Sequence, residues 1–240
     1  MKLTKKQLID IKEHSLKCFP NEMCGIISNK IFIPITNIHE KAENNFLMNP
    51  IELMPYAGKI SAIVHSHTRD PKTKGSLDIR TPSWNDILGQ QKSKVPWIIV
   101  GTEGIGITDY LTIPRIKNNK YTDRPFIWFM NDCYSIVQDY YWFEFKINLP
   151  NHKAEEDFAN IRRRDNLFDN YIQQFGFKEL PTDVELQKGD ILLLDFAGFT
   201  RNHLGIYQGD KTVLHQDIIS RIEPIENFQD RFHKVLRYVN

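Results

Sequence analysis

Apolar positions first recur at helical spacing. Leu8, Ile11 and Leu16 share one face with Ser15 behind Thr4, whose hydroxyl can cap the first turn, and Pro20 ends the segment. Cys24–Ile27 and Ile31–Ile35 read as two short strands around a turn at Asn29. Pro50 opens a second helix through Tyr56, and the unbroken apolar run Ile60–Val64 reads as a buried strand. Thr68 to Arg80 is rich in Lys, Asp, Thr, Pro and Gly, which predicts a loop or flap. Thr81-Pro82 predicts a helix to about Gln91, with threonine as N-cap and proline in the first turn. Trp97–Val100 and Ile105–Ile113 read as strands.

The pattern then breaks. Pro114 to Arg124, with Lys117-Asn118-Asn119-Lys120 inside it, has no apolar period and reads as a linker. Beyond it a long helix is expected over Asp132–Phe145 and a polar helical stretch over Ala154–Phe175. Ile191–Phe196, Leu204–Tyr207, Thr212–His215 and Lys234–Val239 read as strands. There is no internal repeat. The expectation is two domains of mixed α/β type, 1–113 and 121–240, joined by a linker at 114–120.

Composition supports this. The 240 residues suit two small domains or one large one, and 41% apolar with 25% charged residues is ordinary globular composition. With 31 Lys and Arg against 30 Asp and Glu, the net charge of +1 argues against nucleic-acid binding or a general attraction to anionic membranes. Arg162, Arg163 and Arg164 form a local basic patch. No run approaches the roughly 18 apolar residues of a membrane span. Charged residues interrupt Met1–Phe19, so no signal peptide is expected and synthesis in a cytoplasm is. Cys18, Cys24 and Cys133 are an odd number in a chain with a good core, so any cysteine function would be as a thiol.

Two groups of residues carry candidate chemistry. His65-Ser66-His67 ends a buried strand, where alternate side chains share a face, so both imidazoles can converge on one ion. Two His and one carboxylate make a three-ligand catalytic zinc set. Of Asp70, Asp78 and Asp86, the last is the best third ligand, because its direction is fixed one turn into a helix; Ser83 lies three residues before it and can share the site. Glu22 precedes the first strand. His-x-His alone is more often chance, but Ser83-x-x-Asp86 and Glu22 reverse that balance. In the second half, Cys133 begins the long helix behind Asp132, a suitable N-cap. The helix dipole there favours the thiolate. A lone Cys is usually a small core residue, but His203 and His215 lie on the two strands of an apparent hairpin and supply a candidate base and its orienting partner. A three-residue loop, Gln208-Gly209-Asp210, makes the two histidines directly cross-strand on one face; a two-residue loop puts them on opposite faces. His152 and His233 read as surface residues.

Glu22 with Cys24-Gly25, His65-x-His67 and Ser83-x-x-Asp86 resemble the JAMM (MPN+) metallopeptidases over about residues 1–112. That resemblance implies an α/β sandwich with Zn2+ on His65, His67 and Asp86, Glu22 as base and Ser83 helping to hold the oxyanion. Thr68 stands where the family usually has Pro, and the fifteen residues between His67 and Ser83 are more than it usually has. Arg124-Pro125-Phe126-Ile127-Trp128, Asp132-Cys133-Tyr134, Gly189-Asp190-Ile191-Leu192, His203-Leu204-Gly205-Ile206-Tyr207 and Leu214-His215 resemble NlpC-type cysteine peptidases over about 121–240. This implies a papain-like α+β domain with Cys133 as nucleophile, His203 as base and His215 as third residue. It aligns Tyr121 with a tyrosine often near the oxyanion, puts Phe129 where Gly is common, and leaves Asp190 and Asp195 as strand-edge residues.

The two in this order resemble a tail-tip assembly protein family of long-tailed bacteriophages. The resemblance implies a virion tail-tip component that partners other tail-tip proteins. It would cut peptide stems of peptidoglycan at the host wall or periplasm during genome ejection. The alternatives are a structural tail-tip protein with a degenerate JAMM half, and a cytoplasmic JAMM isopeptidase.

Overall fold

The computed structural model describes residues 1–73, 78–151, 168 and 175–239. The Arg162–Arg164 patch, His152 and most of the expected helix over Ala154–Phe175 lie outside the described residues. Two compact units divide the chain, Met1–Ile116 and Lys117–Asn240. The architecture is mixed α/β, with one sheet in each unit. Among the described residues no helix is long and apolar enough to cross a membrane.

In the first unit α1 (Lys5–Cys18) starts from a capping box between Thr4 and Gln7. β1 (Cys24–Ser28) and β2 (Ile31–Ile35) form a hairpin whose turn, Asn29-Lys30, has both residues at positive φ. α2 (Pro50–Leu53) runs into a 3-10 turn through Tyr56. β3 (Ile60–Thr68) is parallel to β4 (Trp97–Thr102) across the intervening α3 (Trp84–Ser93), and β5 (Leu111–Ile113) closes the sheet in the order β2-β1-β3-β4-β5. The period of two sorts the sheet's faces. Ala62, Val64, Ile98 and Val100 pack with Ile11 of α1, while Ile63, Trp97, Ile99 and Ile113 pack with Ile87 of α3 on the other side.

Two expectations for this unit are corrected. The cap of α3 is Ser83, not Thr81, because Ser83 and Asp86 form a reciprocal capping box. The strand expected over Ile105–Ile113 is only Leu111–Ile113. Thr108 turns back on β4 instead: its N–H donates to the Gly101 carbonyl at 2.8 Å and its hydroxyl accepts from the Gly101 N–H at 2.9 Å.

In the second unit α4 (Cys133–Tyr140) is buried along its whole length and continues as a π-helical turn, Tyr141–Phe145, so the expected single α-helix changes pitch. β6 (Phe177–Leu180), β7 (Ile191–Phe196), β8 (Phe199–Gly209), β9 (Thr212–Gln216), β10 (Ser220–Pro224) and β11 (Phe232–Tyr238) form an antiparallel sheet in the order β10-β9-β8-β7-β11-β6. α4 packs on β8 and β9 through Ile136, Val137, Leu204 and Leu214. Asp190 is held by Nε and Nη2 of Arg237 at 2.7–2.8 Å, a structural pair. Asp195 takes His233, which is 38% exposed, at 2.6 Å.

Of the two loop lengths considered for the β8–β9 hairpin, the structure has the two-residue one. Its turn is Asp210-Lys211, both at positive φ, closed by Gly209 opposite Thr212. A bulge between Tyr207 and Gly209 inserts one residue and restores the parity. His215 is therefore opposite Gly205, and His203 is its diagonal neighbour on the same face.

Candidate active sites

In the first unit β3 delivers His65 and His67 to the face that α3 covers. Asp86, in the first turn of α3, meets both: Oδ1 is 3.1 Å from His65 Nε2, Oδ2 is 3.2 Å from His67 Nε2, and the two imidazole nitrogens are 3.2 Å apart. Tetrahedral zinc with ligands at about 2.0–2.1 Å requires donor separations of about 3.3 Å, so these three atoms fit the ion. Asp70 and Asp78 are engaged elsewhere: Asp70 accepts from the Lys72 N–H, and Asp78 is held by Arg80 at 2.7–2.9 Å. Among the described residues, His65, His67 and Asp86 form a cluster able to hold a metal.

Surrounding groups aim these donors. His67 Nδ1 lies 2.9 Å from the Ile79 carbonyl and donates to it, leaving Nε2 as the donor atom for a metal. Phe46 stacks on His65 at 4.6 Å. Asp86 also accepts the Ser83 N–H at 2.7 Å, while the Ser83 hydroxyl accepts the Asp86 N–H, so Ser83 fixes the carboxylate that faces the imidazoles. Burial opposes ionisation of Asp86, but the charges and hydrogen bonds of His65 and His67 win and hold its pKa far below the usual range. His67 is pushed down by burial, yet Asp86, Glu22 and the Ile79 carbonyl together raise it.

Glu22 arrives through Ser66, which sequence reasoning did not single out. Cys24 pairs with His65 across β1–β3. The Ser66 hydroxyl accepts the Met23 N–H at 2.8 Å and the Ser66 N–H donates to the Met23 carbonyl at 3.0 Å. The residue before Met23 thereby reaches the level of His67. Glu22 lines a cleft of about 630 Å³ with His67, Ser83, Asp86, Thr68, Arg69 and Ile79. Burial raises its pKa to about 7, with His67 opposing and Asp86 adding. That value suits a proton carrier near neutral pH.

The end of the long loop is part of this construction. A Cβ on Gly101 would sit 2.0 Å from Ile79 Cγ2, so alanine there displaces the residue whose carbonyl anchors His67. Gly101→Ala is expected to weaken zinc binding by roughly 10- to 100-fold, the usual effect of losing an outer partner of a ligand. Competition against a chromophoric chelator measures it; an unchanged affinity refutes a role for Ile79.

In the second unit Asp132 caps α4. Its Oδ1 accepts the Ser135 N–H at 2.7 Å and its Oδ2 accepts the Phe129 N–H at 2.7 Å. Phe129 has a φ of +63°, a conformation that favours glycine, which gives a physical reason for Gly being common there. Arg124 pairs with Asp139 of α4 at 2.9 Å, while its carbonyl accepts from Gln216 of β9, tying the segment before the helix to the sheet. Cys133 is 4% exposed, and backbone N–H groups near its sulfur, that of Leu204 after His203 among them, favour its charged form.

The expected thiolate is corrected. Burial raises the Cys133 pKa well above its usual range and Asp132 adds to this, while nearby backbone N–H groups only reduce the rise. His203 Nε2 is 3.2 Å from His215 Nδ1; Phe196 stacks on His203 at 4.7 Å and Phe228 meets His215 edge-on at 5.0 Å. Burial lowers the His203 pKa to about 3, with His215, Arg231 and Arg221 contributing, and burial lowers that of His215. Burial thus favours the neutral thiol and the neutral imidazoles. Tyr121 directs its hydroxyl to Glu144 at 3.0 Å and packs on Tyr140.

A pH dependence of stability follows from His203. Between pH 6.5 and about 3 the unfolded chain binds a proton at His203 that the folded chain refuses, so stability is full above pH 6.5 and falls as the pH drops, by up to about 1.4 kcal/mol per unit. Glu22 acts with the opposite sign between about 4.5 and 7, so the comparison needed is with His203→Gln. Urea unfolding should give a flatter stability–pH curve for the variant; parallel curves would refute the assignment.

Residues 122–237 match the NlpC/P60 family model. The chain is 26% identical over 246 aligned positions to the tail tip assembly protein K of Escherichia phage N15, covering 98% of this chain and 96% of that one. To the tail tip assembly protein K of Escherichia phage lambda it is 29% identical over 186 positions, covering 75% and 83%. A probable TtuB-protein conjugate cleaving protease of Thermus thermophilus is 26% identical over 109 positions, covering 41% of this chain and 68% of that one. The second half of this chain is therefore an NlpC/P60 domain, of a cysteine peptidase family, and the chain is similar along most of its length to the tail tip assembly protein K of two phages.

Proposed function

We propose that this chain is a virion tail-tip peptidase whose second domain cuts the peptide stems of peptidoglycan while the phage genome is delivered through the wall. The observation that carries this reading is the 3.2 Å His203–His215 contact on β8 and β9, with Leu204 beside His203 in the same buried cluster as Cys133, within an NlpC/P60 domain. Cys133 is the nucleophile. Its proton passes to neutral His203 as the sulfur attacks an amide carbonyl, His203 returns the proton to the leaving amine, and water then hydrolyses the thioester. His215 holds the imidazole of His203. In Tyr121 the hydroxyl hydrogen is used on Glu144, so its role is to wall the site.

The first domain is a metallopeptidase that acts with the second, within 1–113, joined by a linker at 114–120. His65, His67 and Asp86 would hold Zn2+, which supplies Lewis-acid activation of water and of an amide carbonyl. Glu22 carries the proton beside it, and Ser83 fixes Asp86 and offers its hydroxyl to the oxyanion. The likeness to a conjugate-cleaving protease supports this domain's peptidase character. Digestion of purified muropeptides, followed by mass spectrometry, tests the wall-cutting role. Stem fragments are expected; intact muropeptides after prolonged incubation would reject it.

A further inference from the structure

Beyond His215 the structure places one more polar residue in line with His203 and His215. His215 is 1% exposed, so its second ring nitrogen is shielded from water. That nitrogen, Nε2, lies 3.3 Å from Oε2 of Glu223 on β10, off-axis for an ideal hydrogen bond but within ion-pair reach. The carboxylate does not arrive there by chance. Its other oxygen, Oε1, accepts from Arg221 Nε at 2.8 Å, and Arg221 in turn grips Asp217 at 2.6 Å. Register places the group: Arg221 is opposite His215 across β9–β10, and Glu223 is two residues along on the same face.

We propose that Glu223 is a positioning residue that sets the tautomers of the His203–His215 pair. This rests on the Cys133–His203–His215 reading. A carboxylate beside Nε2 of His215 keeps the proton on that nitrogen, because it can only accept. Nδ1 of His215 is then a bare acceptor, so Nε2 of His203 must be the protonated nitrogen in their 3.2 Å contact. Nδ1 of His203 is left with its lone pair, the one form able to take the proton of Cys133. If His215 carries its proton on Nδ1 instead, the pair reverses and His203 presents an N–H where a base is needed. The charged groups around the pair are Arg221 and Glu223 from β10, Asp217 from the β9–β10 loop and Arg231 from the 3-10 turn after β10.

The test uses the full-length protein as wild type, Glu223→Gln and Glu223→Ala. Long-range nitrogen–proton NMR correlations of the histidine rings show which nitrogen is protonated, whatever bond the enzyme cuts. Wild type is expected to show Nε2–H on both His203 and His215. Glu223→Gln keeps an oxygen acceptor at the same place and should keep that pattern. Glu223→Ala should move His215 toward Nδ1–H and lower kcat on muropeptides at least about tenfold with KM unchanged, well short of the roughly 10⁴-fold loss when a triad carboxylate is neutralised. Glu223→Ala with wild-type tautomers would overturn the proposal, as would altered tautomers with wild-type kcat. Absence of muropeptide cleavage by wild type would reject the wall-cutting function, while the NMR result would still decide the role of Glu223.

Discussion

Cys133→Ala should release no stem fragments from muropeptides, a loss of several orders of magnitude in rate, with the fold unchanged. Covalent catalysis depends on one sulfur atom, and nothing else near the start of α4 can replace it. Alanine keeps the helix, because the cap comes from Asp132 and Ser135 rather than from the thiol. His203→Ala should be about as damaging, since nucleophile and base act as a unit and their losses do not add. His215→Ala should cost less, because it acts through His203. A chelator should leave this reaction untouched and iodoacetamide should stop it. The idea is falsified if Cys133→Ala digests muropeptides at the wild-type rate, or if chelation stops the reaction and alkylation does not.

The second large effect is on metal content. After mild chelation and return of zinc, the protein should carry one zinc per chain. His65→Ala, His67→Ala or Asp86→Ala should each lower the affinity by more than roughly 100-fold, beyond the range for outer partners, because a donor itself is removed. Asp70→Ala and Asp78→Ala should retain full stoichiometry, since those carboxylates face Lys72 and Arg80. Elemental analysis decides between them. A wild-type value near zero, or loss of zinc in Asp78→Ala alone, would show the donor set to be wrong.

What was legible in the sequence is what depends on local pattern. The alternation along β3 put His65 and His67 on one face, and a carboxylate one turn into a helix has a fixed direction, so the three donors could be named without coordinates. The cap of α3 was misplaced on Thr81 by the Thr81-Pro82 signal, although Ser83-x-x-Asp86 is itself close to a capping box. The β8–β9 hairpin was not legible. Asp210-Lys211 lacks the glycine of the commonest two-residue turn, and no local signal announces the bulge that keeps both histidines on one face. β6 and β10 escaped because Lys178, Glu179, Arg221 and Glu223 break any apolar run at the sheet edges. The protonation state of Cys133 was misread for a related reason. A helix dipole can be inferred from a cap, but desolvation comes from the sheet packed against α4, which belongs to residues far along the chain.

The resting state of Cys133 bears on durability. Peroxides and disulfides attack thiolates, and oxidation beyond the sulfenic acid is mostly irreversible. A sulfur that is almost wholly covered, and whose thiol form burial favours, gives such reagents little to react with. A particle waiting outside a cell in aerated water has no reducing system to repair it. For a protein carried there, burial of the proposed nucleophile would itself protect it from such oxidation.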